Sequence, residues 1–155
     1  MKPIQKILVP TDFSPASEEA LAYAIYLARA LSASLTLFHT VQLPALTGTD
    51  PTGLSVWPVT AAGIADDAAE RLEDERRRVE SQGVKVQVAS SDGEAAQSIV
   101  SHARSGGYDL VVMGAHEHGR LARVLLGSVV EKVVRTCECP VFTVRAAEAE
   151  PHPAA

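Results

Sequence analysis

The sequence predicts an α/β fold, a five-stranded parallel sheet with helices on both faces. Three observations carry that prediction. Short apolar runs of strand length alternate with longer segments of helical period along the whole chain. The helical segments begin and end at recognisable capping residues. Each strand is separated from the next by enough chain for a crossover helix, which is what parallel neighbours require.

The elements follow in order. Ile4 to Val9 is an apolar run closed by Pro10, and Ser14-Pro15 supplies an N-cap with proline at the first helical position. The helix that starts there runs to about Ser32, with Leu21, Ala24, Ile25, Ala28 and Leu31 at helical spacing on one face. Leu35 to Val41 is a second strand. From Gln42 to about Thr60 the chain is rich in Pro, Gly and Thr, and a loop of this length in a compact domain is a functional cover or a mobile insertion. The next helix extends to Gln82; its ERLEDERRRVE stretch places opposite charges three and four apart, the pattern of a solvated face, and Gly83 ends it. Val84 to Ala89 is a third strand, Glu94 to Ser105 a helix closed by Gly106-Gly107, and Asp109 to Met113 a fourth strand. Ser128 to about Thr136 is a helix and Val141 to Val144 the fifth strand. The domain therefore spans residues 1–145, and the remaining AAEAEPHPAA, residues 146–155, has no apolar period and reads as a disordered tail.

Composition limits the function. The chain has 155 residues, 46% hydrophobic and 21% charged, enough for one domain with a substantial core. Its formal net charge of -5 and pI near 5.5 argue against a grip on nucleic acid, which needs a surplus of Lys and Arg. No apolar stretch is long enough for a membrane span and the start lacks the apolar core of a signal peptide, so the expected location is the cytoplasm. Cys137 and Cys139 read as reduced, partly buried thiols.

A parallel sheet binds ligands beyond the carboxyl ends of its strands, so the loops after strands one, two and four are where a site is expected. After strand one, Asp12 in PTDFS offers a carboxylate for a ribose hydroxyl or for magnesium held through water, and serves equally as a cap. Strand four ends at Met113-Gly114, where a missing side chain lets a ligand lie against the backbone, although a bare turn has the same composition. Ser128 and Glu131 have the S-x-x-E spacing of a capping box, fixing a helix start whose backbone N–H groups, from Gly127, Ser128 and Val129, suit a phosphate. Ser128 as a cap alone explains that pattern just as well.

Taken together, KILVPTDFS, LFHTV and DLVVMGAHEHGRLARVLLGSVVEKVVRTCECPVFTV resemble the universal stress protein family over nearly the whole chain. The resemblance implies a Rossmann-like sheet of the adenine nucleotide alpha hydrolase-like type, in a homodimer whose fifth strands meet. It also implies that the first and fourth loops face one another. In the ATP-binding branch the signature is glycine, two residues, glycine, nine residues, then glycine and Ser or Thr. Gly114 and Gly127-Ser128 match its ends, and Glu117 stands at the middle glycine. By position, the resemblance places Pro10, Thr11 and Asp12 around adenine and ribose, Thr40 near adenine through its backbone, and Met113-Gly114 beneath the nucleotide. Gly127, Ser128 and Val129 hold phosphate, and Asp12 is the implied magnesium contact. The ligand so implied is ATP with Mg2+, its occupancy altering contacts within the dimer or with an unidentified protein partner.

Glu117 keeps a second reading open, a family member that binds no nucleotide and acts through protein contacts alone. Two like charges about 4 Å apart at an effective dielectric near 20 repel by roughly 4 kcal/mol, about a thousandfold in affinity. An outward Glu117, a bridging magnesium, a different path at Gly119, or Arg120 and Arg123 nearby would reduce that penalty. An enzymatic reading is weaker. Only Asp12, Glu117, His116 and His118 are available to orient water for hydrolysis, so at most a weak ATPase is expected. The H-x-G-H order of nucleotidyl transferases is not met by His116-Glu117-His118-Gly119, and Asp12 with Asp92 is a poor match to a phosphorelay receiver. Neither a Walker loop nor G-x-G-x-x-G follows strand one.

Overall fold

A computed structural model of the chain describes residues 2–42, 57–115 and 127–145. Most of the 42–60 loop, His116, Glu117, His118, Gly119, Arg120, Arg123 and the 146–155 tail lie outside the described residues. The elements are β1 (Lys6–Pro10), α1 (Pro15–Leu31), β2 (Ser34–Val41), α2 (Trp57–Glu80), β3 (Val86–Asp92), α3 (Ala95–Ser105), β4 (Leu110–Ala115), α4 (Ser128–Thr136) and β5 (Val141–Arg145). Among the described residues the five strands form one sheet in the order β3-β2-β1-β4-β5, every neighbouring pair parallel. The order runs outward in one direction from β1 to β3 and in the other from β4 to β5. The winding therefore reverses between β1 and β4.

Strand alternation divides the core in two. Ile7 and Val9 of β1 join Leu35, Leu37 and Val112 against α1 and α2, where Leu21, Ala24, Ile25, Leu72 and Val79 meet them. Leu8, Phe38, Val111 and Met113 face the other way, onto Ile99 and Ala103 of α3 and Val130 and Val133 of α4. Burying both faces is why these strands are continuous apolar runs. No helix among the described residues is long and apolar enough to cross a membrane.

Several boundaries differ from the sequence reading. β1 begins at Lys6, with Ile4 packed against the core just before it. β3 starts at Val86 because its ladder with β2 runs from Leu35–Val86 to Val41–Asp92. The α2 helix begins at Trp57, a few residues before the expected end of the loop. Leu31, expected on the buried face of α1, is 45% exposed. The helix stops there because Ser32 turns left-handed (φ 54), and the buried Ala33, whose N–H donates to the Ala28 carbonyl at 2.9 Å, takes the core position instead. At the amino end of the sheet, Asp109 accepts hydrogen bonds from the backbone N–H groups of Gln5 and Lys6, both at 3.0 Å, and pairs with Lys2 at 2.6 Å. That carboxylate ties β1 to β4.

Candidate functional site

The reversal between β1 and β4 leaves the loops at their carboxyl ends diverging to opposite faces, and a cavity of about 470 Å³ lies there. Its wall includes Pro10, Thr11 and Asp12 after β1, Thr40 near the end of β2, Met113 and Gly114 of β4, and Val129 of α4. Seven of the nine residues expected from the sequence thus come together. Gly127 and Ser128 precede Val129 at the start of α4 and do not contribute to the wall.

The β1 loop is held by its own hydrogen bonds. The Thr11 N–H donates to the Phe38 carbonyl at 2.8 Å, continuing the strand pairing for one more residue. Its buried hydroxyl accepts from the Phe13 N–H at 3.1 Å and donates to the Ser17 hydroxyl at 3.3 Å. Phe13 is left-handed (φ 61), which makes the turn sharp enough for Asp12 Oδ1 to accept from the Ser14 N–H at 3.1 Å. Asp12 therefore closes the turn as well as standing at the cavity. Ser14 is the N-cap of α1, accepting from the Ser17 N–H, as its place before Pro15 predicts.

Residues that the sequence reading did not single out complete the wall. His39 fixes its ring through Nδ1, 2.8 Å from the Thr11 carbonyl and so the protonated nitrogen, and packs at 4.7 Å between centroids against Phe13. Ser17 comes from α1, Phe38 and Gln42 from β2 and its end, Ile64 from α2, and Ala95 and Ile99 from α3. In sequence Phe38 and Ile99 are indistinguishable from ordinary core residues. His39, a polar residue two before the end of an apolar strand, was the available signal. The Thr40 hydroxyl is buried and has no hydrogen-bond partner among the described residues.

Two expectations about glycine and serine need correction. Gly114 does not owe its missing side chain to a ligand alone. A Cβ there would lie 2.4 Å from the carbonyl carbon and oxygen of Ala16 and 2.7 Å from the Ser17 nitrogen, so the first turn of α1 occupies that space. Nor do Ser128 and Glu131 form a capping box. Gly127 is the N-cap, with ψ 151 and its carbonyl accepting from the Glu131 N–H at 2.9 Å, which moves Ser128 into the first helical position. The Glu131 carboxylate pairs with Arg135 at 3.3 Å instead of reaching back. The first-turn N–H groups of α4 have no partner within the helix, the condition that favours an anion.

Among the described residues no group of three His, Cys, Asp or Glu side chains could enclose a metal ion. Magnesium commonly keeps its waters and takes one or two carboxylates together with ligand phosphates, so a single Asp12 fits that manner of binding and no tighter one.

A model of the Universal stress protein family matches residues 3–145. The universal stress protein MJ0531 of Methanocaldococcus jannaschii is 33% identical over 141 residues, covering 91% of this chain and 82% of that protein. Among solved structures, MJ0577 of the same organism superposes with a TM-score of 0.79 at 26% identity, covering 96% of this chain and all of that one. A universal stress protein in complex with cAMP superposes with a TM-score of 0.69 at 25% identity, covering 94% of this chain and 100% of that chain.

Proposed function

The chain belongs to the universal stress protein family, and from that premise we propose that it binds an adenine nucleotide, ATP with Mg2+, at the carboxyl ends of β1, β2 and β4. The observation that carries this reading is the cavity of about 470 Å³ at the winding reversal, within the range of small-molecule sites, with the Thr40 hydroxyl buried in its wall and unpaired among the described residues. The cAMP complex of a structural neighbour supports an adenylate as the class of ligand.

The roles follow from chemistry. Ile99, Met113 and Val129 give the base an apolar setting, and the Thr40 hydroxyl and backbone lie beside it. Pro10, Thr11 and Asp12 receive the ribose, with Asp12 also the carboxylate in the cavity wall for a water-held Mg2+. Gly114 shapes the floor by admitting α1. Phosphates lie at the α4 N-terminus, where the N–H groups of Ser128 and Val129 and the small N-cap Gly127 favour negative charge. Mg2+ offsets phosphate charge when bound.

Occupancy is read out through contacts between copies or with a protein partner. The outer edge of β5 pairs with no strand among the described residues. Beside it, Phe142 is 43% exposed and its ring lies 6.1 Å from that of Tyr23, a surface suited to a second copy. The reading without nucleotide draws on Glu117 at the middle signature glycine.

Calorimetric titration of ATP and Mg2+ into nucleotide-stripped protein separates the two. Saturable binding, weakened by about a thousandfold in Gly127→Glu, supports the proposal. Absence of binding by the native chain, restored by Glu117→Gly, assigns the protein to the branch that acts through protein contacts alone.

A further inference from the structure

At the other end of the sheet, the turn from α4 to β5 carries two cysteines. Cys137 is the C-cap of α4, its N–H donating to the Val133 carbonyl at 2.8 Å and its backbone extended (φ -72, ψ 136). Cys137 and Cys139 both pack on the apolar cluster of α3 and α4, while Glu138 between them pairs with Arg104 of α3 at 2.7 Å. The two sulfurs lie 3.5 Å apart. Both are partly buried and line a cleft of about 520 Å³ with Ala103, Tyr108 and Lys2.

We propose that Cys137 and Cys139 are a hydroperoxide-reactive thiol pair that closes to an intrachain disulfide in the α4–β5 turn. A disulfide needs about 2.05 Å between sulfurs, so closure requires an approach of about 1.5 Å, within reach of side-chain rotation and a small backbone adjustment. The Cys137 sulfur attacks one oxygen of the hydroperoxide and becomes a sulfenic acid; the O–O bond breaks and the other oxygen leaves as alcohol, or as water from hydrogen peroxide. The Cys139 sulfur then displaces the sulfenic oxygen, which departs as water with the Cys139 proton. Two thiols and one hydroperoxide give one disulfide, one alcohol and one water, two electrons passing from sulfur to the O–O bond. Burial and the hydrogen bond with Cys137 push the Cys139 thiol up to about 12, which keeps it protonated. The ring so closed is short and strained, the kind of disulfide that thiols reduce readily.

The test treats the reduced, full-length protein with hydrogen peroxide, alkylates it under denaturing conditions, and measures intact and peptide masses. The expected product is lighter by two hydrogens, takes no alkyl group on Cys137 or Cys139, and takes one on each after dithiothreitol. In Cys139→Ser, dimedone should trap a sulfenic acid on Cys137, whereas Cys137→Ser should react roughly tenfold more slowly than the native chain. Alkylation of both cysteines after peroxide, separate sulfinic acids on the two, or a disulfide between chains would each overturn the proposal. If either serine variant fails to fold, the masses of the native chain are sufficient to support or overturn it.

Discussion

The two ends of the sheet treat their polar groups in opposite ways. At the amino end, the Asp109 carboxylate meets two backbone N–H groups of β1 and the Lys2 ammonium, and its own N–H donates to the Lys6 carbonyl at 2.9 Å. At the carboxyl end, Thr40 of β2 and Ser91 of β3 stand opposite one another in register, and both hydroxyls are buried with no partner among the described residues. A buried polar group without a partner costs about 1–3 kcal/mol. One end is closed by interactions within the chain; the other keeps polar capacity beside a cavity, the usual division between scaffold and site.

Gly114 is the sharpest test of where that division lies, since it belongs to the carboxyl end yet is filled by α1. Gly114→Ala must push back the Ala16–Ser17 backbone and should lower stability by about 3 kcal/mol, measured as a lower urea midpoint. Lost nucleotide affinity at unchanged stability would return Gly114 to the ligand and blur the comparison.

The amino end should respond to Asp109→Asn with a loss of about 2 kcal/mol and no change in ligand affinity. Acid offers a second view of it. The Lys2 ammonium, joined by the N–H groups of Gln5 and Lys6, holds the Asp109 carboxyl down to about 2 from an ordinary 3.8. Because the folded value is the lower, the stabilisation is complete above the ordinary range and is lost as pH falls toward about 2. Unfolding curves across that window should therefore be steeper in pH for the native chain than for Asp109→Asn.

Thr40→Val carries the smallest effect and the most particular one. Removing an unpaired hydroxyl at nearly constant volume should raise the melting temperature of the unliganded protein, by about 1 kcal/mol in stability, while weakening adenylate binding several-fold. A lower melting temperature would mean that the hydroxyl already has a partner, and the contrast between the ends would fail at its central residue.

Much of this arrangement was legible in the sequence because it is local or periodic. Apolar runs gave the strands, Ser14-Pro15 the start of α1, the rule for parallel sheets directed attention to the loops after strands one, two and four, and the family resemblance added Pro10, Thr11 and Thr40; these residues, with Asp12, Met113 and Gly114, line the cavity. What escaped depends on contacts between distant segments. The space above Gly114 is taken by Ala16 and Ser17, the wall of the cavity borrows Ile64 and Ile99 from helices read as packing elements, and Asp109 reaches Lys2 and the β1 backbone more than a hundred residues away. The helix α4 starts at Ser128 as the sequence predicts, but Ser128 has only the spacing of a capping box, and Gly127 has the extended backbone that a cap requires.

The most direct measurement is an amide NMR titration of the stripped protein with ATP and Mg2+. Saturable shifts are expected at Thr11, Asp12, Thr40, Gly114 and Gly127 to Val129, with Gln5, Lys6 and Asp109 unmoved. Shifts centred on the amino end, or none at any concentration of nucleotide that the calorimeter can follow, would contradict the proposed site.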